Sequence, residues 1–318
     1  MSTYLVTGAT GFLGGWLARS LAAGGHRVIA YSRASGGDVL DAEAVRAAAI
    51  GCDGAFHCAG KVSRDPAAAE ELYRLHVEGT KNVLAACARA GVRRVVYAST
   101  SGTVAVADSP DHIASEDDPP PMGLLSRWPY YRAKLFAERA ALEANREGFD
   151  VVSVNPSLLL GPGDVRGSST GDIRRFLERA VHAVPAGGLS FVDVRDAAEA
   201  MRLAMERGRA GERYLVGGCN LTVRQLFERL ERASGVRAPW LPMPRSSVLS
   251  GFALRCAERV AERVGATPVD AVAFEMAQKF WYVDSTKAER ELGWKSRDAS
   301  ETLYDTVEDL RQRGVVWP

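Results

Sequence analysis

Tyr130 and Lys134, in the stretch RWPYYRAK at 127–134, stand four positions apart, a spacing that puts two side chains on one face of an α-helix. A phenol beside an ammonium can give up a proton and take it back. A free tyrosine titrates near ~10, so it needs a neighbouring cation to favour the phenolate before it works near neutral pH. Tyr131 lies about 100° further round the helix and pairs with Leu135, which makes Tyr130 the candidate acid/base and Tyr131 a packing residue or pocket wall. Pro129 suits the first helical turn, where its missing donor costs little. The same pair also arises on ordinary amphipathic helices as core and charged rim, so it carries weight only with other features beside it.

One such feature is a run of hydroxyls. Ser99, Thr100 and Ser101, in VVYASTSG, follow the apolar run 93–100 and so fall at the carboxyl end of a strand, where open α/β sheets bind ligands. A hydroxyl there can hydrogen-bond a substrate carbonyl; the plain alternative is a polar turn that caps backbone groups.

Another is VTGATGFLGG at 6–15, in which Gly8, Gly11 and Gly14 lie between a strand and a helix. Glycines so placed let the backbone turn sharply and approach a pyrophosphate at the helix N-terminus. Glycines used only for packing are the competing explanation, which the strand before and the helix after argue against. The second strand ends AYSR, with Arg33 at its edge and no acid until Asp38. An acid there would bind the ribose 2′-hydroxyl of NAD, whereas an arginine accommodates the 2′-phosphate of NADP. NADP(H) is therefore expected ahead of NAD(H), unless Arg33 is only a solvated loop residue.

These residues need a frame. The first half alternates short β-branched runs with amphipathic stretches, as strand and helix alternate in a parallel sheet. Strands are expected at 3–8, 27–32, 54–60, 93–100 and 149–156, with helices over 12–24, 67–90 and 128–148, the last two stopping at glycines. Strands this continuously apolar need helices on both faces of the sheet. The expected fold is α/β, a Rossmann-type doubly wound parallel sheet with a smaller, mostly helical substrate-binding region. Residues 1–158 would form the dinucleotide-binding core and 159–188 a substrate-region insertion. Residues 189–218 would return to the core as strand, helix and strand, leaving 219–318 mainly to the substrate region. There Trp240, Leu241, Met243, Leu249, Phe252 and Leu254 suit an apolar ligand, although such clusters are more often simply core.

The chain of 318 residues is 47% hydrophobic and balances 40 Lys and Arg against 39 Asp and Glu, with the basic residues scattered. Neither a nucleic-acid nor a membrane surface is expected. Five cysteines (Cys52, Cys58, Cys87, Cys219, Cys256) without CxxC spacing argue against a disulfide framework or a zinc site, and no metal is expected. Without a signal-peptide pattern or an apolar run of spanning length, the expected location is the cytoplasm. A homodimer is an arrangement the sequence permits.

TGATGFLG, STSGTV, YYRAK and NPSLLLGPGD, with the later FVDVRDAAEAM and YVDSTKAERELGW, resemble the extended short-chain dehydrogenase/reductase superfamily of NAD-dependent epimerases and dehydratases over nearly the whole chain. ASTSGTVA and Arg33 are most similar to its dihydroflavonol 4-reductase branch. The resemblance implies that Tyr130 is the acid/base and that Lys134 binds the nicotinamide ribose and lowers the tyrosine pKa. The family's substrate-orienting serine falls on Thr100 counting from the strand, or on Ser101 counting back from TV; the strand register favours Thr100. Implied cofactor contacts are Gly8, Thr10, Gly11, Phe12, Leu13, Gly14, Arg33, Asp38, Val39, Cys58, Ala59, Gly60, Ala98, Tyr130, Lys134, Pro156 and Ser157.

The chain departs from the family pattern in three places. LHVEGT places His76 where the family commonly has an asparagine of its proton relay, Thr100 adds a methyl to a serine, and only Ala34 to Gly37 separate Arg33 from GDVLD where relatives have a longer loop and another strand. The expected activity is hydride transfer from NADPH to a small-molecule aldehyde or ketone. The rivals are a nucleotide-sugar epimerase or dehydratase, a 3-beta-hydroxysteroid dehydrogenase-like alcohol oxidation by the same residues, and an NADP-sensing binding protein.

Overall fold

The structure, a computed structural model, describes residues 1–243 and 271–317. Leu249, Phe252, Leu254 and Cys256 lie outside the described residues.

A parallel sheet of β1 (Thr3–Thr7), β2 (Arg27–Tyr31), β3 (Gly54–His57), β4 (Arg94–Ala98), β5 (Asp150–Pro156) and β8 (Arg213–Val216) runs in the order β2-β1-β3-β4-β5-β8. Alternation along each strand explains why these segments are apolar throughout. Val6, Phe56, Val96 and Val152 face α1 (Phe12–Ala23) and α8 (Val194–Arg207). Their neighbours Leu5, Ala55, Val95 and Val151 face α2 (Ala42–Ala49), α4 (Gly79–Arg89) and α6 (Pro129–Glu143). The chain is therefore a Rossmann-type α/β fold with both sheet faces covered.

The sheet ends at β2. Between β2 and α2 there is only a single 3-10 turn, Arg33–Ser35, followed by Gly36 at φ +80° and by Asp41, whose carboxylate caps α2. The short connection noted in the sequence leaves no room for a strand beyond β2.

Two helices differ from the sequence pattern for local reasons. The expected helix 67–90 is a 3-10 turn (Pro66–Ala68), α3 (Ala69–Tyr73), a π-helical turn (Arg74–Glu78) and then α4. Such a π-turn inside a helix is frequent at functional sites, and this one carries His76. The helix α6 stops at Glu143, short of Gly148, because Asn145 Oδ1 accepts from the Val151 amide (3.0 Å) and draws the chain into β5.

A second sheet lies on the substrate side. Its centre is β7 (Gly188–Asp193), paired in parallel with β6 (Leu158–Leu160) and with β10 (Phe280–Trp281), and antiparallel with β9 (Cys219–Thr222). Of the strand, helix and strand expected to rejoin the core over 189–218, α8 and β8 do so, while β7 takes β6, β9 and β10 as partners. Helices α5 (Met122–Leu125), α7 (Gly171–Leu177) and α9 (Val223–Ser234) belong to the segments outside the main sheet.

Candidate active site

At the carboxyl edge of the sheet, Gly8 turns at φ +69° and its amide donates to Tyr31 O (2.8 Å). A Cβ on Gly8 would stand 2.7 Å from Cys58 and Ala59 backbone, and one on Gly14 would stand 2.3 Å from Gly8 O. The two glycines thus let α1 and the end of β3 close around the loop. Gly11 precedes the first residue of α1, Thr10 is exposed, and Gly60 is exposed behind the half-buried Cys58 and Ala59. Phe12 and Leu13 pack into the core behind the loop. A tight glycine turn with this close backbone approach at a helix N-terminus fits a dinucleotide pyrophosphate.

Arg33 lies exposed just past β2, with no ion pair among the described residues. Asp38 accepts from the Leu40 amide (3.0 Å), and its carbonyl accepts from the Tyr31 hydroxyl (2.8 Å). Val39 is buried against Gly79. These three residues bracket the short connection rather than a further strand.

Lys134 is 5% exposed and held on two sides: its Nζ donates to Ala98 O (2.6 Å) and to the Tyr97 hydroxyl (2.9 Å). Burial lowers its pKa to about 8, and the charge of Glu138 works against that fall. One helical turn earlier, Tyr130 packs edge-on against His76 (ring centroids 5.7 Å) and Tyr131 (5.0 Å). Burial, with Tyr131 adding to it, pushes the Tyr130 phenol above its ordinary value. The family pattern implied the opposite direction. The ammonium of Lys134 is turned onto Ala98 and Tyr97, and loss of water outweighs it at Tyr130. Tyr130 therefore keeps its proton across neutral pH.

The hydroxyl run forms a strand-end turn. Thr100 caps the 3-10 turn Ser101–Thr103, its Oγ1 accepting weakly from the Gly102 amide (3.3 Å). A hydroxyl that accepts an N–H still has its own proton to donate. Ser101 is 4% exposed, and its hydroxyl has no protein partner among the described residues. Thr103 Oγ1 donates to Thr100 O (3.0 Å) and Glu138 Oε2 (3.0 Å), Ser99 Oγ donates to the same carboxylate oxygen, and Asn155 Nδ2 reaches it at 2.7 Å. Pro156 and Ser157 follow Asn155 at the end of β5; the Ser157 amide donates to Val216 O (2.9 Å).

Beside Tyr130 lies a largely buried aromatic cluster. Tyr131 lies 5.0 Å from Trp281 and 6.1 Å from Trp128, and the two indoles are 5.4 Å apart. Leu124, Leu125, Val106, Val272 and Met276 complete this cluster. Of the apolar residues singled out in the sequence, Trp240 is 81% exposed and Leu241 48%, and neither belongs to this cluster, while Leu249, Phe252 and Leu254 lie outside the described residues. At the rim, Arg64 pairs with Asp172 at the start of α7 (2.7 Å), and both charges act on the Tyr131 phenol.

His76, at the position of the family asparagine, is buried with its Nε2 donating to Lys61 O (2.9 Å). Burial and the Lys134 charge pull its pKa to about 3, so it is neutral and takes up no proton near neutral pH. Its neutral ring instead fills the space over Gly60, where a Cβ would meet Cε1 at 2.8 Å.

Sequence reasoning missed Glu138, Asn155, Tyr97 and Trp281. Glu138 was accessible to it, since it stands four residues after Lys134 as Lys134 does after Tyr130. Trp281 was not, because it reaches Tyr131 from 150 residues further along the chain.

This parallel sheet, with a glycine loop on one strand edge and a Tyr–Lys pair beside a hydroxyl turn on another, defines a dinucleotide-binding chain of the extended short-chain dehydrogenase/reductase type. The sequence matches the NAD dependent epimerase/dehydratase family over residues 4–217, and the chain belongs to that family. It is 33% identical to a Synechocystis sp. protein named provisionally as a dihydroflavonol 4-reductase, over 98% of this chain and 96% of that one. It is also 33% identical to cinnamoyl-CoA reductase 1 of Oryza sativa, over 79% of this chain and 83% of that one. Among solved structures it superposes on the crystal structure of gox2253 with a TM-score of 0.84 and 29% identity, each chain fully covered. Among the described residues no helix is long and apolar enough to cross a membrane, and no cluster of acids, histidines and cysteines could hold a metal ion.

Proposed function

We propose that the chain is an NADPH-dependent reductase that converts an aldehyde or ketone on an apolar, planar small molecule into the alcohol. The observation that carries this reading is Tyr130, one turn before the buried Lys134 on α6, packed against Tyr131, whose ring meets both the hydroxyl turn at Gly102 and Trp281. The relatives named for dihydroflavonol and cinnamoyl-CoA reduction support it.

Bound NADPH would supply the hydride for the carbonyl carbon. The Gly8–Gly14 loop would hold its pyrophosphate, Arg33 its 2′-phosphate, and Lys134 its nicotinamide ribose. Thr100 donates to the substrate carbonyl oxygen and orients it, with Ser101 beside it as the alternative donor. Tyr130 gives that oxygen its proton, so the carbonyl gains one hydride and one proton and leaves as the alcohol. A phenol whose pKa is raised by burial suits donation, the direction of reduction. The aromatic cluster would take the flat face of the substrate and exclude water.

The deciding experiment follows NADPH oxidation against a panel of aromatic and aliphatic carbonyls, with nucleotide sugars alongside. Turnover of carbonyls is expected in wild type, with a loss of about 10²- to 10⁴-fold in Tyr130→Phe at unchanged cofactor binding. Turnover of nucleotide sugars alone would replace the reading by the epimerase/dehydratase one, and equal rates in the variant would remove Tyr130 as the acid.

A further inference from the structure

Glu138 is 1% exposed: Ser99, Thr103 and Asn155 donate to its Oε2, while Oε1 accepts no hydrogen bond among the described residues and faces the Arg213 guanidinium at 3.2 Å as an ion pair. An ionised carboxylate is an acceptor only, and the three donors on Oε2 with the guanidinium opposite Oε1 suit a carboxylate. A buried ion is costly unless well paired, and a position this deep on α6 would more simply hold an apolar residue. Two features say what the charge does there.

Its hydrogen-bond donors bracket the residues at issue. Ser99 precedes Thr100 and Ser101, Thr103 follows them, and Asn155 also donates to Thr100 O (3.2 Å). The carboxylate therefore ties the hydroxyl turn to α6, the helix that carries Tyr130 and Lys134.

Glu138 also stands on the Lys134 face, one turn further along. The titratable groups turned towards Lys134 from other elements are His57 on β3, Cys58 after it, His76 on the π-turn and Tyr97 on β4. Burial pulls both histidines to about 3 and pushes Cys58 up to about 12, and it raises Tyr97 as well, so none of them is charged near neutral pH. Glu138 raises Lys134 against its own burial, with Cys58 adding to it. Facing Glu138 itself are Arg213 from β8 and Tyr97 from β4, with Lys134 on its own helix.

We propose that Glu138 is a positioning residue for the reaction: its carboxylate clamps the Thr100–Ser101 turn to α6 and sets its negative charge one helical turn from the Lys134 ammonium. The kinetic consequence rests on the reductase reading; the coupling of Glu138 to Lys134 does not.

The test is an NMR titration of the full chain carrying carbon-13-labelled lysine, with thermal melting to check folding. Glu138→Gln removes the charge and keeps an acceptor oxygen, and should lower the Lys134 pKa by about one unit or more. Arg213→Met leaves the carboxylate without its other cation and should raise it, which keeps the question decidable if the Gln variant does not fold. On a carbonyl substrate, Glu138→Gln should lower kcat roughly tenfold or more with KM for NADPH little changed, and its activity should fail at lower pH than wild type. Glu138→Asp, shorter but charged, should lower kcat without moving that pH limit. An unmoved Lys134 titration in Glu138→Gln, or in Arg213→Met where only that variant folds, overturns the proposal. Absence of any carbonyl turnover in wild type sinks the reductase reading alone and leaves the titration to decide this one.

Discussion

The ring of Tyr131 lies against Gly102 so closely that a Cβ on that glycine would stand 2.2 Å from Tyr131 Cε1. Helix α6 and the hydroxyl turn are mated at this contact, and Tyr130 cannot move relative to Thr100 without unseating its neighbour. Gly102→Ala should therefore push the turn off the helix, at a cost of about 1–3 kcal/mol of overpacking. The measurable outcome is a lower Tm together with a lower kcat, while NADPH binding on the distant glycine loop holds. A variant with wild-type kcat would show that the contact does not set the geometry of the site.

Lys134 gives the activity an upper pH limit. Its pKa in the fold is lowered from the usual lysine value to about 8, so it is an ammonium below that pH and neutral above it. If the charged form positions ribose and supports Tyr130, kcat/KM with free enzyme should be flat towards neutral pH and fall as pH rises through about 8. His76 and His57, both held neutral with pKa about 3, should add no limb between pH 5 and 7. A profile with an inflection near 6.5, the free histidine value, would assign a proton to His76 after all.

Arg33 lies exposed at the rim just past β2, the edge strand of the main sheet. Arg33→Ala should weaken NADPH binding by roughly tenfold or more, the scale of a lost charge-assisted bond to phosphate, and leave NADH binding almost unchanged. Fluorescence titration of both nucleotides reads the ratio directly. A ratio that does not move removes Arg33 from the phosphate site.

How much of this was legible in the sequence depended on the distance over which each feature is fixed. The strands of the main sheet and the glycine loop are set by local alternation and by glycine geometry, and Gly8 and Gly14 occupy the places their spacing required. Tyr130 and Lys134 share a helix face because four residues make about one turn. The aromatic cluster is different: Trp128 and Trp281 meet only because β10 pairs with β7, a contact no local pattern encodes. The direction of the Tyr130 shift was misjudged for a similar reason. Spacing placed a cation nearby, but not the Ala98 carbonyl and Tyr97 hydroxyl that hold it.

The one-residue ambiguity between Thr100 and Ser101 is open to a kinetic test. Thr100 is half-buried, and its Oγ1 accepts from the Gly102 amide, which leaves its own proton for a ligand. Ser101 is the more deeply buried of the two, at the first position of the 3-10 turn. Thr100→Val keeps the shape and removes the donor, and should lower kcat/KM for a carbonyl by about 10²-fold, the loss typical of a single donor to a developing oxyanion. Thr100→Ser should restore most of it, because the methyl is not the working group. Ser101→Ala should cost less than Thr100→Val, and both should bind NADPH as wild type does. The opposite ranking would move the orienting hydroxyl one residue along, onto Ser101, and leave Thr100 as the cap of the turn.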